Sequence, residues 1–264
     1  MKIIKAICTE NPCYKTGQTI KVKGLMLHSV GCNQPKAQVF VNQWNKANPA
    51  IQVCVHGVID ANDGTVYQTL PWNHRGWHGG GTSNSTHIGV EMCEPATIKY
   101  SNGGKFTVKD EADAKERVKT AYDSAVELFA YLCQEYKLDP LGDGVIVSHH
   151  EGHLRGIASN HGDPEHLWCG VGTSYTMDGF RRDVAKKMGN VKPDEDKKDF
   201  KEFIVRVSIS NLNLRKGAGL SYKSKGMCPK GAYTIVETKT ADGYEWGKLK
   251  SGAGWIALKY TTKL

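Results

Sequence analysis

The sequence predicts an α/β domain, built on a mixed central β-sheet flanked by helices, followed by a small all-β domain. Three observations lead there. Strand-like and helix-like patterns alternate through residues 1–190. A charged stretch, NVKPDEDKKDFKE at 190–202, then interrupts the apolar patterning with linker composition. Beyond it, short runs of β-forming residues are punctuated by glycines. The expected boundaries are a first domain at 1–190, a linker at 191–200 and a second domain at 201–264.

The elements follow in order. Lys21 to His28, KVKGLMLH, reads as a strand entering a core. Lys36 to Asn48 carries Ala37, Val41 and Trp44 on one helix face. Gln52 to Asp60 and Gly64 to Leu70 read as a hairpin whose turn ends in Asp63-Gly64. Thr86 to Cys93, THIGVEMC, is a further strand. Asp110 to Lys137 is a long helix, with Val118, Ala121, Ala125, Leu128, Phe129 and Leu132 recurring at three and four. Gly144 to Ser148 is a short buried strand, and Ser174 to Met188 a closing helix. In the tail, FIVRVSISNLNLRKG, YTIVETKT and GYEWGKLKSGAGWIALKY are short strands suited to a small barrel.

Composition narrows the class. Of 264 residues, 39% are hydrophobic and 23% charged, the make-up of a globular protein. No apolar run approaches the roughly 20 residues that span a membrane, so no membrane insertion is expected. The N-terminus, MKIIKAICTENPCYK, lacks the apolar centre of a secretory signal. Synthesis in the cytoplasm, with action elsewhere only after release, is therefore expected. The eight cysteines form no C-x-x-C pair and read as reduced core residues, with a disulfide or two left open. The formal charge of +8 is uneven: 20 Lys+Arg against 19 Asp+Glu in 1–190, and 12 against 4 in 201–264. A basic tail points to a polyanionic partner: nucleic acid, a membrane surface or a cell-wall polymer.

The candidate chemistry lies in a few side chains. His149 follows the apolar run GVIV, and His28 ends KGLML, so both are expected at strand ends, as ligands of one metal ion. Asp163, in the loop after His149 and fixed by Pro164, is the best third ligand. Such a set leaves one tetrahedral position open, the catalytic form of a zinc site. A histidine closing a strand is often only a hydrogen-bonded surface residue, and spacing alone leaves both readings open. His150, His153 and His166 are assigned to surface or packing roles. Glu91 shares a strand face with Gly89 and Cys93, where a carboxylate is costly unless paired or functional. It is a candidate general acid/base; a structural salt bridge, with Arg75 for instance, is the alternative. The glycine-rich turn RGWHGGG, 75–81, presents Trp77 and His78 on a flexible loop that could line a substrate groove; for Trp77 a core position is the alternative.

The segments GLMLHSVG, VHGVIDANDGTVYQTLPWNHRGWHGGG, STHIGVEMCEP, VIVSHHEG and NHGDP, in that order, carry a resemblance. Residues 20–180 resemble a zinc-dependent N-acetylmuramoyl-L-alanine amidase, of the family that includes T7-type lysozyme, AmpD-type amidases and peptidoglycan recognition proteins. The tail, through NLNLRKGAGLSYK, GAYTIVE and GYEWGKLKSGAGWIALKY, resembles a bacterial SH3 cell-wall-binding domain. The pair resembles a phage or prophage endolysin.

The resemblance implies zinc on His28, His149 and Asp163, with Glu91 as acid/base. It implies an oxyanion-stabilising cation two residues before the aspartate; many members have lysine there and this chain has His161. The loop from His149 to Asp163 is longer than in compact members, and Glu165 replaces the glycine that follows Asp-Pro, so His161 stands as the substitute third ligand. The implied reaction is hydrolysis of the amide between N-acetylmuramic acid and L-alanine in peptidoglycan, with the tail bound to a wall polymer and not to nucleic acid. The competing readings are a non-catalytic muropeptide-binding protein of the same fold, a regulatory protein whose tail binds nucleic acid, and a stem-peptide peptidase.

Overall fold

The computed structural model describes residues 1–101, 104–189 and 202–264. The chain divides into two compact units, Met1–Pro193 and Asp194–Leu264. The expected linker at 191–200 lies outside the described residues.

The first unit begins with β1 (Ile3–Lys5), α1 (Pro12–Lys15), β2 (Gly24–Ser29), α2 (Ala37–Trp44), β3 (Gly57–Ile59), β4 (Val66–Gln68) and β5 (His87–Met92). It continues with β6 (Ile98–Tyr100), β7 (Phe106–Val108), α3 (Glu111–Tyr136), β8 (Ile146–Ser148), α4 (His149–Leu154), α5 (Glu165–Gly170) and α6 (Met177–Lys187). Six strands form one sheet in the order β1-β4-β3-β5-β2-β8. It is mixed: β3, β5, β2 and β8 run parallel, while β4 lies antiparallel to β3. The expected α/β architecture, a central mixed sheet flanked by helices, is the one observed.

Burial explains the elements. All six residues of β2 are buried, as in a parallel strand covered on both faces. Leu25, Leu27, Ile88, Val90 and Met92 join the apolar stripe of α3 and residues of α2 and α6 in the main core. Asp110 caps α3 by accepting from the Asp113 amide, and Lys137 ends it in the left-handed region. The Asp63-Gly64 turn joins β3 to β4 as expected, with Gly64 at φ 72°. Among the features not anticipated are β1, which pairs in parallel with β4, the separate hairpin β6–β7 and the short helices α1, α4 and α5. All eight cysteines are free thiols.

The second unit holds β9 (Phe203–Val207), β10 (Asn213–Arg215), β11 (Ser224–Met227), β12 (Gly231–Ala241), β13 (Tyr244–Leu249), β14 (Trp255–Ala257) and β15 (Thr262–Lys263). They form an antiparallel sheet in the order β11-β10-β14-β13-β12-β9-β15. Asp242 and Gly243, both at positive φ, make the two-residue turn between β12 and β13. Val205, Val207, Leu212, Ile235, Leu249 and Ile256 fill its core. Among the described residues no helix is long and apolar enough to cross a membrane.

Candidate metal centre and active site

Strand alternation builds the site. β2 and β5 run side by side with His28 opposite Glu91. Their odd-numbered and even-numbered neighbours Leu25, Leu27, Ile88 and Val90 face the main core. Met26, His28, Gly89 and Glu91 therefore turn to the other face, at the C-terminal ends of parallel strands.

His149 arrives by a different route from the one expected. β8 ends at Ser148, and His149 is the first residue of α4. Ser148 Oγ accepts from the Glu151 amide at 2.9 Å, and Glu151 Oε2 accepts from the Ser148 amide at 3.2 Å, a capping box. Arg181 on α6 clamps the same Glu151 with two bonds, of 2.8 and 2.9 Å. Ser148 Oγ also donates to Glu165 Oε1 at 2.6 Å, joining the start of α4 to the start of α5. The glutamate after Asp163-Pro164 thus ties together the segments that carry His149 and Asp163.

The structure brings His28, His149 and Asp163 into one buried group, with one ligand atom from each within 4.8 Å of the others. His28 Nδ1 lies 3.0 Å from His149 Nδ1 and 3.3 Å from Asp163 Oδ2. His149 Nδ1 lies 3.5 Å from Asp163 Oδ1. Burial disfavours a charge on His28, but its hydrogen bond to Asp163 and the charges of Glu91 and Asp163 outweigh this and raise its pKa. The Ser29 amide donates to Asp163 Oδ2 at 3.3 Å and orients the carboxylate.

A cleft of about 750 Å³ opens onto this group, with Glu91, Trp77 and His161 on its wall. Glu91 Oε2 is buried without a hydrogen-bond partner. Burial pushes the Glu91 carboxyl up to about 8; Asp163 and Glu94 add to the rise and His28 opposes it. No bond to Arg75 is present: the Arg75 side chain donates to Ser85 Oγ. His161 is exposed, its ring 4.3 Å from that of His149 and its Nδ1 3.1 Å from Ser159 Oγ. Trp77 is half-buried and also packs on the Cys13, Cys54 and Leu70 cluster.

His78 lines the cleft and is also engaged behind it. It is buried between His28, with Nδ1 3.0 Å from His28 Nε2, and the His87 carbonyl, 3.1 Å from its Nε2. His56, which the sequence reading treated only as part of a strand, is fully buried beside it, 5.7 Å between ring centres. Ser159 was also missed; its Oγ lies 3.1 Å from His149 Nε2. His166, expected at the surface or in packing, lines the cleft and donates from Nε2 to the Tyr100 hydroxyl at 2.8 Å, while that hydroxyl donates to Glu94 Oε2 at 2.7 Å. Tyr100 comes from the unanticipated hairpin, so no spacing signal linked it to His166.

The family described as N-acetylmuramoyl-L-alanine amidase matches residues 18–166, more than half of the chain. The chain belongs to this amidase family. All the donors and Glu91 fall inside the matched stretch. Among solved structures, the amidase-family unit resembles the hydrolase AmiA of Staphylococcus aureus in complex with its ligand, at TM-score 0.53 and 18% identity, covering 73% of this chain and 88% of that one. A mutant endolysin from Bacillus subtilis matches at TM-score 0.48 and 21% identity, covering 70% of this chain and 99% of that one. At these identities the first likeness speaks to the fold. No curated protein matches the chain.

Proposed function

We propose that the first unit is a zinc-dependent amidase that hydrolyses the bond between the lactyl group of N-acetylmuramic acid and L-alanine in peptidoglycan. In the same reading the second unit, 201–264, is a bacterial SH3 domain that holds the enzyme on a cell-wall polymer, as in an endolysin of a phage or prophage acting in cell lysis. One observation carries the enzyme reading: two imidazoles and a carboxylate converge in a cleft whose wall also holds Glu91, one oxygen of which is buried without a hydrogen-bond partner.

The donor set fits zinc. Bonds of about 2.0–2.1 Å in a tetrahedron place neighbouring donors about 3.3–3.4 Å apart. Here the two imidazole nitrogens are 3.0 Å apart, and Asp163 offers Oδ2 at 3.3 Å to His28 and Oδ1 at 3.5 Å to His149. With one donor atom from each residue the group lies within 4.8 Å, close enough to gather on one ion. Zinc bound there would supply a Lewis acid that polarises the amide carbonyl and acidifies water. The remaining work belongs to this chain. Glu91, its carboxyl held near neutrality by burial, accepts the proton of the attacking water and passes it to the departing nitrogen. An imidazolium at His161 would donate from Nε2 to the developing oxyanion while its Nδ1 meets Ser159 Oγ. Trp77 offers an aromatic wall to the sugar or peptide, and His78 stands behind His28.

For the second unit, support comes from the basic excess of 201–264 and from a cavity of about 450 Å³ lined by Arg215, Tyr244, Trp246 and Tyr260. A non-catalytic muropeptide binder of the same fold would have no use for the full donor set. Metal analysis tests the ligand assignment: His28→Ala in the full chain should lose stoichiometric zinc, and retention of it overturns the site.

A further inference from the structure

The hydrogen bonds around His78 can be read only one way. Its Nε2 faces the His87 carbonyl at 3.1 Å, and a carbonyl only accepts, so Nε2 carries the hydrogen. The ring is buried, and a neutral imidazole carries a single hydrogen. Its Nδ1 is therefore a lone pair, and it lies 3.0 Å from His28 Nε2. His28 must donate from Nε2. A neutral His28 then presents its own lone pair on Nδ1, the atom that faces His149 and Asp163.

We propose that His78 is a positioning residue that locks His28 in the tautomer whose Nδ1 faces the metal centre. This goes beyond the groove-lining role expected of it, and it rests on the zinc reading above. A ligating imidazole needs its second nitrogen engaged to fix tautomer and ring orientation. Here the partner is another histidine, held from every side. A Cβ on Gly89 would come within 2.4 Å of His78 Cγ, and one on Gly76 within 2.7 Å of His78 Cδ2, so the ring is seated against bare backbone. Asn84 Oδ1 accepts from the His78 and Gly79 amides at 2.9 and 2.8 Å, which pins the loop.

The test compares two replacements in the full chain by zinc competition with a chromophoric chelator. In His78→Asn the amide oxygen takes the place of Nδ1 and keeps the acceptor for His28. In His78→Gln the amide nitrogen reaches the place of Nε2, keeping the bond to His87 but losing that acceptor. The lock predicts near wild-type zinc affinity for the Asn variant and a loss of about 10–100-fold for the Gln variant. Equal affinity in all three proteins, or equal weakening in both variants, overturns it. A wild type that binds no zinc sinks the zinc reading instead. Nitrogen-15 NMR of the metal-free wild type, at alkaline pH where His28 is neutral, needs no variant to fold. It should find the His28 hydrogen on Nε2; a hydrogen on Nδ1 overturns the proposal.

Discussion

Replacing Gly89 by alanine adds one methyl group beneath the site. Gly89 is not among the glycines at positive φ, so its backbone does not resist alanine. The obstacle is His78: the new Cβ would lie 2.4 Å from its Cγ and 2.5 Å from its Nδ1. Carbon atoms settle at about 3.5–4.0 Å, so the ring must withdraw by about 1 Å. The 3.0 Å bond to His28 Nε2 then lengthens past hydrogen-bond reach, which ends near 3.5 Å or about that. Overpacking of this kind costs about 1–3 kcal/mol. Loss of the orienting bond should weaken zinc binding about 10-fold or more, or about 1.4 kcal/mol. Thermal unfolding of the chelated protein reads the first effect and chelator competition the second. Gly57→Ala is the control, because on β3 of the same sheet its Cβ meets only Trp72 and Val66 at 3.4–3.7 Å, ordinary contact. If Gly89→Ala matches wild type in both assays, the account of the His78 seat is wrong.

Other outcomes follow from the same geometry. Glu91→Gln should keep its zinc and lose about 10²–10⁴-fold in hydrolysis of defined muropeptide, and a near wild-type rate would remove Glu91 from proton transfer. Ser148→Ala deletes the cap of α4 and the bond to Glu165, so it should destabilise the first unit by about 1–2 kcal/mol in thermal unfolding; no change would mean the capping box is idle. His56 is held to a pKa of about 4 by burial, with further lowering from His74 and His28. Because the folded value is depressed, its contribution is intact above the unfolded pKa of about 6.5 and is lost as pH falls toward 4, on the order of 3 kcal/mol in all. An NMR titration in which the His56 ring charges near the ordinary value while the protein stays folded would contradict this.

Much of the frame was legible because it is periodic. The apolar run KVKGLMLH and the alternation in HIGVEM marked both strands and put Glu91 on one face with Gly89, whereas the shared face of His28 and Glu91 follows only from the pairing of β2 with β5. Three-and-four spacing marked α3 nearly to its ends. The position of His149 was misread as a strand end, although Ser148-His-His-Glu151 is a capping-box pattern that announces a helix start. Other features had no local signal. The roles of His78 and His56 depend on space left by Gly89, eleven residues beyond His78, and by Gly76, twenty beyond His56. Ser159 reaches His149 across a loop of irregular geometry, and Tyr100 reaches His166 only because α5 packs near the β6–β7 hairpin. β1 is three residues long and exposed on alternate positions, too short for a pattern to emerge.

The most direct measurement is digestion of a purified muropeptide by the full chain, with and without a chelator, followed by mass analysis of the fragments. The account predicts metal-dependent release of an intact peptide that begins with a free L-alanine amine, leaving a free carboxyl on the muramic acid. Cleavage that persists undiminished in a fully demetallated enzyme, or cuts that fall only within the stem peptide, would contradict it.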